Sequence, residues 1–525
     1  MSAPTEKPDT MNGAESLVRT LLACGVDTCF ANPGTSEMHF VAALDRVPGM
    51  RCVLGLAETV VTGAADGYGR MADKPAATLL HCGPGLANGL ANLHNAKRAF
   101  SPIVNIVGDH ATDHRQYDAP LTADTEELAR TMSRWVRTTT SAHGVAASGA
   151  MAVQAAQTAP GGVATLILPA DTAWNEAGGP AAPLAIPARA AVDADTIAGI
   201  AAALKRKEPA LLILSGPALR EGALRTAQRI ATATGAKLMT PTQVARMARG
   251  RGRVPVDRIP YVVDRAIEVL KPFRHLVLCA AKAPVGFFAY PGKPSTLWNP
   301  DATVHTLAHP EEDVVGALEA LADALGAPKS VVIPNPGPLP SPASGRFTPE
   351  GLGATIAALL PEHAIVAEDA VTSGRGLFPP TCAAAPHDWI QLTGGAIGDA
   401  LPMAVGAAVA CPDRRVVALC ADGAGMYSLQ ALWTQAREQL NVVNVIFANR
   451  AYAILRGELT AVGAAPGPAS AELFDLGRPN LDWVSLARGM GVDGTRVETF
   501  EAFADAFRAA CNPARRGPFL IEFVI

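Results

Sequence analysis

At 525 residues the chain is too long for one ordinary hydrophobic core and implies about three domains. It is 49% apolar and 18% charged with a net charge of −4, which excludes a disordered chain and gives no electrostatic basis for binding nucleic acid or an anionic membrane. No apolar run reaches the ~18–20 residues of a membrane helix, and the polar start "MSAPTEKPDTMNG" lacks the apolar core of a signal peptide. Nine scattered cysteines complete no zinc pattern, so a reducing cytoplasm is expected.

In chain order, short β-branched runs alternate with Ala-rich helical stretches. "AATLLH", "IVNIVG" and "ATLILP" come first, "ALLILS" and "HLVLCAA" follow, and "AIVAED", "VVALCAD" and "VVNVIFAN" come last. Continuous apolar strands separated by helices predict parallel sheets covered on both faces. "EAGGPAAPLAIPARA" and "IPNPGPLPSPASG" read as extended linkers. The predicted fold is α/β, with three doubly wound domains over residues 11–175, 188–328 and 346–525.

The first domain offers several candidates. "HCGPGLANG" places Gly83, Gly85 and Gly89 between a strand and a helix, with Asp109 ending the next strand. That imitates a dinucleotide fingerprint, but its spacing is G-x-G-x-x-x-G and it follows a later strand. The same glycines also suit close helix–sheet packing. Glu58 opens a predicted helix beside Leu56, Val60 and Val61, whose apolar character implies burial. It reads either as a dipole-stabilising first-turn acid or as a proton-exchanging group. His81 ends a strand at the mouth of the sheet, where a catalytic and a structural role both remain open. His110 and His114 are four apart with Asp109 and Asp113 interleaved, yet the stretch reads as a loop and not as a metal-binding helix.

The last domain is more informative. Asp422 ends one strand and Asn449 the next, so both face one crevice of a parallel sheet. A carboxylate and an amide oxygen are hard ligands that suit Mg²⁺ or Ca²⁺. Gly423 and Gly425 allow a phosphate to approach, and the following helix directs N–H groups at the anion. Two strand-end caps are the alternative reading.

This stretch resembles the metal–diphosphate motif of thiamine-diphosphate (ThDP) enzymes, usually Gly-Asp-Gly, then 25–30 residues, then Asn-Asn. Ala421 and Ala448 depart from it, while Asp422 and Asn449 remain. "ANPGTSEMHF", "GGAIGDALPMAVGAA" and "GPFLIEFVI" are similar to other segments of the family, so the resemblance covers nearly the whole chain. It implies pyrimidine-binding, central and diphosphate-binding domains, with the metal held by Asp422, Asn449 and the Ala451 carbonyl. Glu58 would activate the cofactor's aminopyrimidine, Ile397 would wedge it into a bent shape, and Gly395, Gly423, Ala424 and Tyr452 would contact it. Glu58 and Asp422 would come from different subunits, so the resemblance implies at least a homodimer and suggests a tetramer.

Within the family the chain resembles benzoylformate decarboxylase, with Thr35 at the substrate-binding hydroxyl and His81 at the strand-end histidine. "APVGFFAYPG" carries Phe287, Phe288 and Tyr290 where that family supplies a second histidine, and Leu455 replaces a glutamate of pyruvate decarboxylase. The chain also resembles the acetolactate synthase large subunits, without an FAD signature. The resulting expectation is a ThDP- and Mg²⁺-dependent enzyme that decarboxylates a 2-keto acid, with or without carboligation. A 2-hydroxyacyl-CoA lyase or another ThDP carbon–carbon lyase is the alternative. From other classes, an NAD(P)-dependent dehydrogenase would leave Asp422, Asn449 and Glu58 unexplained, and a non-catalytic relative would not need Glu58.

Overall fold

The computed structural model describes residues 11–525, so most of the polar start lies outside the described residues. The chain forms two compact units, one of residues up to Pro187 with Gly394–Cys411, the other of Ala188–Thr393 with Pro412–Ile525. Residues 177–193 and 331–344, the two Pro-rich stretches, contain no helix or strand. No described helix is long and apolar enough to cross a membrane.

The first unit is built on a six-stranded sheet in the order Arg51–Leu54, Thr28–Asn32, Ala76–His81, Ile103–Asp109, Val163–Pro169, Trp135–Thr138. Every pairing is parallel. Ile103–Asp109 and Val163–Pro169 are buried at every position, as largely apolar strands are when helices cover both faces. The second strand in the chain lies on one side of the first and the third on the other. The carboxyl ends of Thr28–Asn32 and Ala76–His81 therefore flank a topological switch point, where such sheets open a crevice.

The helix Glu58–Ala72 packs against Ala400–Ala410 with almost no side chain between them. A Cβ on Gly63 would lie 2.9 Å from Pro402 Cβ, and one on Gly406 would lie 2.5 Å from the Tyr68 nitrogen. Beside this interlock, buried Arg70 grips Asp66 through Nε at 2.8 Å, and its guanidinium lies 3.9 Å from Asp399. Removing one member would strand a buried charge at a cost of about 3–5 kcal/mol. By these contacts residues 394–411, which the sequence reading put in the domain 346–525, group with the first compact unit.

The second unit holds two sheets. One is all parallel, in the order Asp257–Arg258, Lys237–Thr240, Ala210–Leu214, His275–Cys279, Thr303–Ala308. The other runs Asp493–Val497, Phe519–Val524, Val442–Ala448, Val416–Ala421, Ile365–Asp369, His387–Gln391, Met247–Arg249. Its last strand comes from the middle of the chain and pairs antiparallel with His387–Gln391. Here the switch point falls between Ile365–Asp369 and Val416–Ala421, so Asp422 emerges beside it.

Candidate active site

In the first unit, the chain leaves Asn32 through Pro33 and Gly34 into a single 3₁₀ turn, Thr35–Glu37. Glu37 is only 1% exposed. Its Oε2 accepts the Gly34 N–H at 2.6 Å, and its Oε1 accepts the Ser36 hydroxyl at 2.9 Å. Room for this carboxylate comes from Gly108, where a Cβ would lie 2.5 Å from Glu37 Cδ. His81 ends its strand with Nδ1 2.8 Å from Glu37 Oε2 and 3.1 Å from Ser36 Oγ. A buried carboxylate on Nδ1 fixes the ring and leaves Nε2 as its other proton-exchanging atom. The hydroxyl hydrogen-bonded to His81 is Ser36's; Thr35, which the resemblance implies as the substrate-binding hydroxyl, is exposed at the start of the turn. Successive 3₁₀ residues point about 120° apart, so adjacent hydroxyls face different ways.

Glu58 opens its helix half-buried and accepts a hydrogen bond from Asn88 Nδ2 at 3.1 Å. Val60 and Val61 are buried, but Leu56 is 46% exposed, so the apolar enclosure predicted around Glu58 is open on one side. Gly85 lies between Glu58 and His81. A Cβ there would stand 3.2 Å from Glu58 Oε1 and 3.5 Å from His81 Cβ. The remaining glycines of the helix Cys82–Ala99 serve packing, with Gly83 against Ala123 and Gly89 against Thr62. Asp109 pairs with Arg115 and accepts the His110 N–H. His110 and His114 are loop neighbours with ring centroids 5.6 Å apart. Glu37, His81 and Cys82 are close enough to suggest a metal site. Burial pushes the Cys82 thiol up to about 11, which keeps it a protonated and poor ligand.

Ile397 is half-buried in the same unit, on a loop whose turn Gly395 makes at φ +81°. Asn95 clamps this loop by donating to the Ala396 carbonyl at 2.8 Å and accepting the Gly394 N–H at 3.1 Å.

In the second unit, Val416–Ala421 and Val442–Ala448 run in parallel register, Ala421 opposite Phe447. Asp422 and Asn449 follow their ends side by side. Asp422 is 1% exposed. Its Oδ1 accepts the Gly423 N–H at 2.8 Å and its Oδ2 the Arg450 N–H at 2.7 Å. Burial raises its pKa above the usual carboxylate range, those N–H bonds oppose the rise, and the Glu522 carboxylate adds to it. Asn449 Oδ1 accepts the Ala451 N–H at 2.9 Å, and Ala451 is bridged to Asp475. A Cβ on Gly423 would meet the Tyr452 ring at 2.6 Å, so this glycine seats the tyrosine against the turn that ends with Ala424 and Gly425.

The donor set fits a hard divalent ion. Asp422 is a buried carboxylate whose hydrogen-bond partners are two backbone N–H groups and no cationic side chain. Just beyond it, the Ser428 hydroxyl and the Gln430 amide oxygen are buried without partners in the protein. A cation with phosphate oxygens would compensate the charge and occupy such polar atoms.

Known proteins resemble the chain over most of its length. The N-terminal and C-terminal TPP-binding domains of thiamine pyrophosphate enzymes match residues 11–132 and 380–523. The chain belongs to the thiamine-diphosphate-dependent enzymes, and thiamine diphosphate is its cofactor. Among its relatives is a Mycobacterium tuberculosis protein provisionally named acetolactate synthase large subunit IlvX. The two are 50% identical over 98% of this chain and 99% of that one. Benzoylformate decarboxylase of Pseudomonas aeruginosa is 29% identical over 95% and 96% of the two chains. The solved ThDP-dependent 4-hydroxybenzoylformate decarboxylase of Rhodococcus jostii superposes with a TM-score of 0.84 at 25% identity, covering 98% of each chain.

Proposed function

We propose that the enzyme decarboxylates a 2-keto acid, with or without joining the resulting acyl unit to an acceptor, and that Mg²⁺ anchors the cofactor. The observation that carries this reading is the His81–Glu37 pair facing Glu58 across Gly85, which puts a positioned acid–base group beside a second carboxylate. Thiamine diphosphate supplies the electron sink for breaking the bond to the carboxyl group. In this reading Glu58 exchanges a proton with the aminopyrimidine, and His81, held by Glu37, moves a proton at Nε2 and helps seat the substrate carboxylate. Asp422, Asn449 and the Ala451 carbonyl hold the metal. Gly423, Ala424 and Tyr452 line the diphosphate turn, while Ile397 and Gly395 support the cofactor's rings. The smallest active assembly is a homodimer. Names borne by the relatives, acetolactate synthase and benzoylformate decarboxylase, support substrates of this class.

The test is a panel of 2-keto acids offered to the protein loaded with thiamine diphosphate and Mg²⁺, scored for both CO₂ and acyloin. CO₂ release that requires both additions is expected. Absence of CO₂ and acyloin from every keto acid would refute the reading.

A further inference from the structure

The helix Ala453–Ala461 starts at Tyr452, directly beyond the Asp422–Asn449 corner, and none of its residues is fully buried. Glu458 lies near its middle, roughly 9 Å along the axis from Tyr452 at 1.5 Å per residue. Its two carboxylate oxygens are both engaged. Tyr261 donates its hydroxyl to Oε1 at 3.0 Å, and Tyr290 donates to Oε2 at 2.7 Å. Tyr261 follows the strand Asp257–Arg258 and Tyr290 follows His275–Cys279, so both stand beyond carboxyl ends of the five-stranded sheet, its ligand-facing side.

The surroundings are aromatic and open. Phe287 packs on Tyr261 with ring centroids 5.5 Å apart and on Phe288 at 5.1 Å, yet these phenylalanines are 44% and 57% exposed. Leu455, one turn before Glu458 on the same helix, is also exposed. Burial and the Glu458 carboxylate raise the pKa of both phenols, which keeps their protons on the hydrogen bonds to Glu458. What the cluster presents outward is therefore uniform in character: carboxylate lone pairs, phenolic oxygen lone pairs and π faces. It offers acceptors and no free donor. Such a surface attracts an ammonium or guanidinium group and repels a second carboxylate.

We propose that Glu458, Tyr261 and Tyr290, with Phe287 and Phe288, form a side-chain subsite that selects 2-keto acids carrying a cationic group at the end remote from the keto carbon. This rests on the reading of the chain as a 2-keto-acid enzyme. A charge-assisted bond to Glu458 contributes on the order of tenfold to a hundredfold in kcat/KM.

The experiment compares three substrates of similar reach on the holoenzyme: 5-guanidino-2-oxopentanoate, 2-oxooctanoate and 2-oxoadipate. The wild type is expected to prefer the guanidino acid over the neutral one at least tenfold, with 2-oxoadipate poorest. Glu458→Gln should collapse the cationic preference, and Glu458→Lys should invert it toward 2-oxoadipate. As a readout independent of variant folding, propylguanidinium should compete with 2-oxooctanoate on the wild type, whereas butyrate should not. Turnover without charge preference, or a preference unmoved in both variants, would overturn the subsite and leave the proposed activity standing. No turnover of any keto acid would overturn both.

Discussion

Gly34→Ala tests how far catalysis depends on the placement of His81. Gly34 has φ −127°, a conformation alanine adopts freely, so the substitution strains no backbone. Its new methyl carbon, however, would lie 2.5 Å from His81 Nδ1 and closer still to two ring carbons. Ordinary carbon contacts begin at 3.4 Å, so the ring must retreat by about 1 Å. The Nδ1–Glu37 hydrogen bond, now 2.8 Å, would then stretch past useful length. A displacement of this size at a catalytic group costs roughly 10²-fold in turnover. Thiamine diphosphate affinity should barely change, because the residues proposed to hold the metal belong to the other unit. The assay is kcat per cofactor-loaded site for Gly34→Ala, His81→Ala and the double variant. Once His81 is gone, the Gly34 change should cost almost nothing further, the non-additivity expected of a shared mechanism. Wild-type turnover in Gly34→Ala, or fully additive losses in the double variant, would refute the placement of His81 in the reaction.

Asp422→Ala should abolish Mg²⁺-dependent retention of thiamine diphosphate while Asn449→Ala weakens it less, since only the first removes a charge; calorimetry giving equal affinities would overturn the metal assignment. Glu58→Gln should bind the cofactor but fail to exchange the thiazolium proton with D₂O, as quenched NMR reads directly. His387 predicts acid sensitivity of the fold: burial and the nearby Arg249 and Arg253 charges lower its pKa to about 3, so the folded state holds it neutral where the unfolded chain protonates near 6.5. Its contribution to stability is full above pH ~6.5 and lost as pH falls at about 1.4 kcal/mol per unit, hence about 2 kcal/mol between pH 7.5 and 5. Urea midpoints should show this loss in the wild type and not in His387→Phe.

The strand-end placement of Asp422, Asn449 and His81 was legible in the sequence because each ends or follows a largely apolar strand, and strand ends in parallel sheets converge on a crevice. Glu58 announced itself as an acid opening a helix. Glu37 did not, because a glutamate in a polar loop has no local signature and its partner lies 44 residues away. That Ser36 and not its neighbour Thr35 hydrogen-bonds His81 depends on the phase of a three-residue turn, which the sequence does not reveal. The strand Met247–Arg249 is too short for any periodicity to reveal. A glycine that marks close approach, such as Gly63 or Gly406, shows that something comes near without showing what.

The clasp between Glu58–Ala72 and Ala400–Ala410 has a consequence for how the molecule is made. The N-terminal unit cannot be finished until the ribosome has passed Cys411, on the far side of the whole middle segment. At roughly 5–20 residues per second that delay is on the order of tens of seconds. Throughout it the glycine-lined face of the Glu58 helix, shaped to receive another backbone, stands bare. A nascent chain in this condition is a natural client for chaperones that shield apolar surface, and production of the enzyme should suffer most where they are scarce. Expressing residues 1–187 alone would leave that face permanently uncovered.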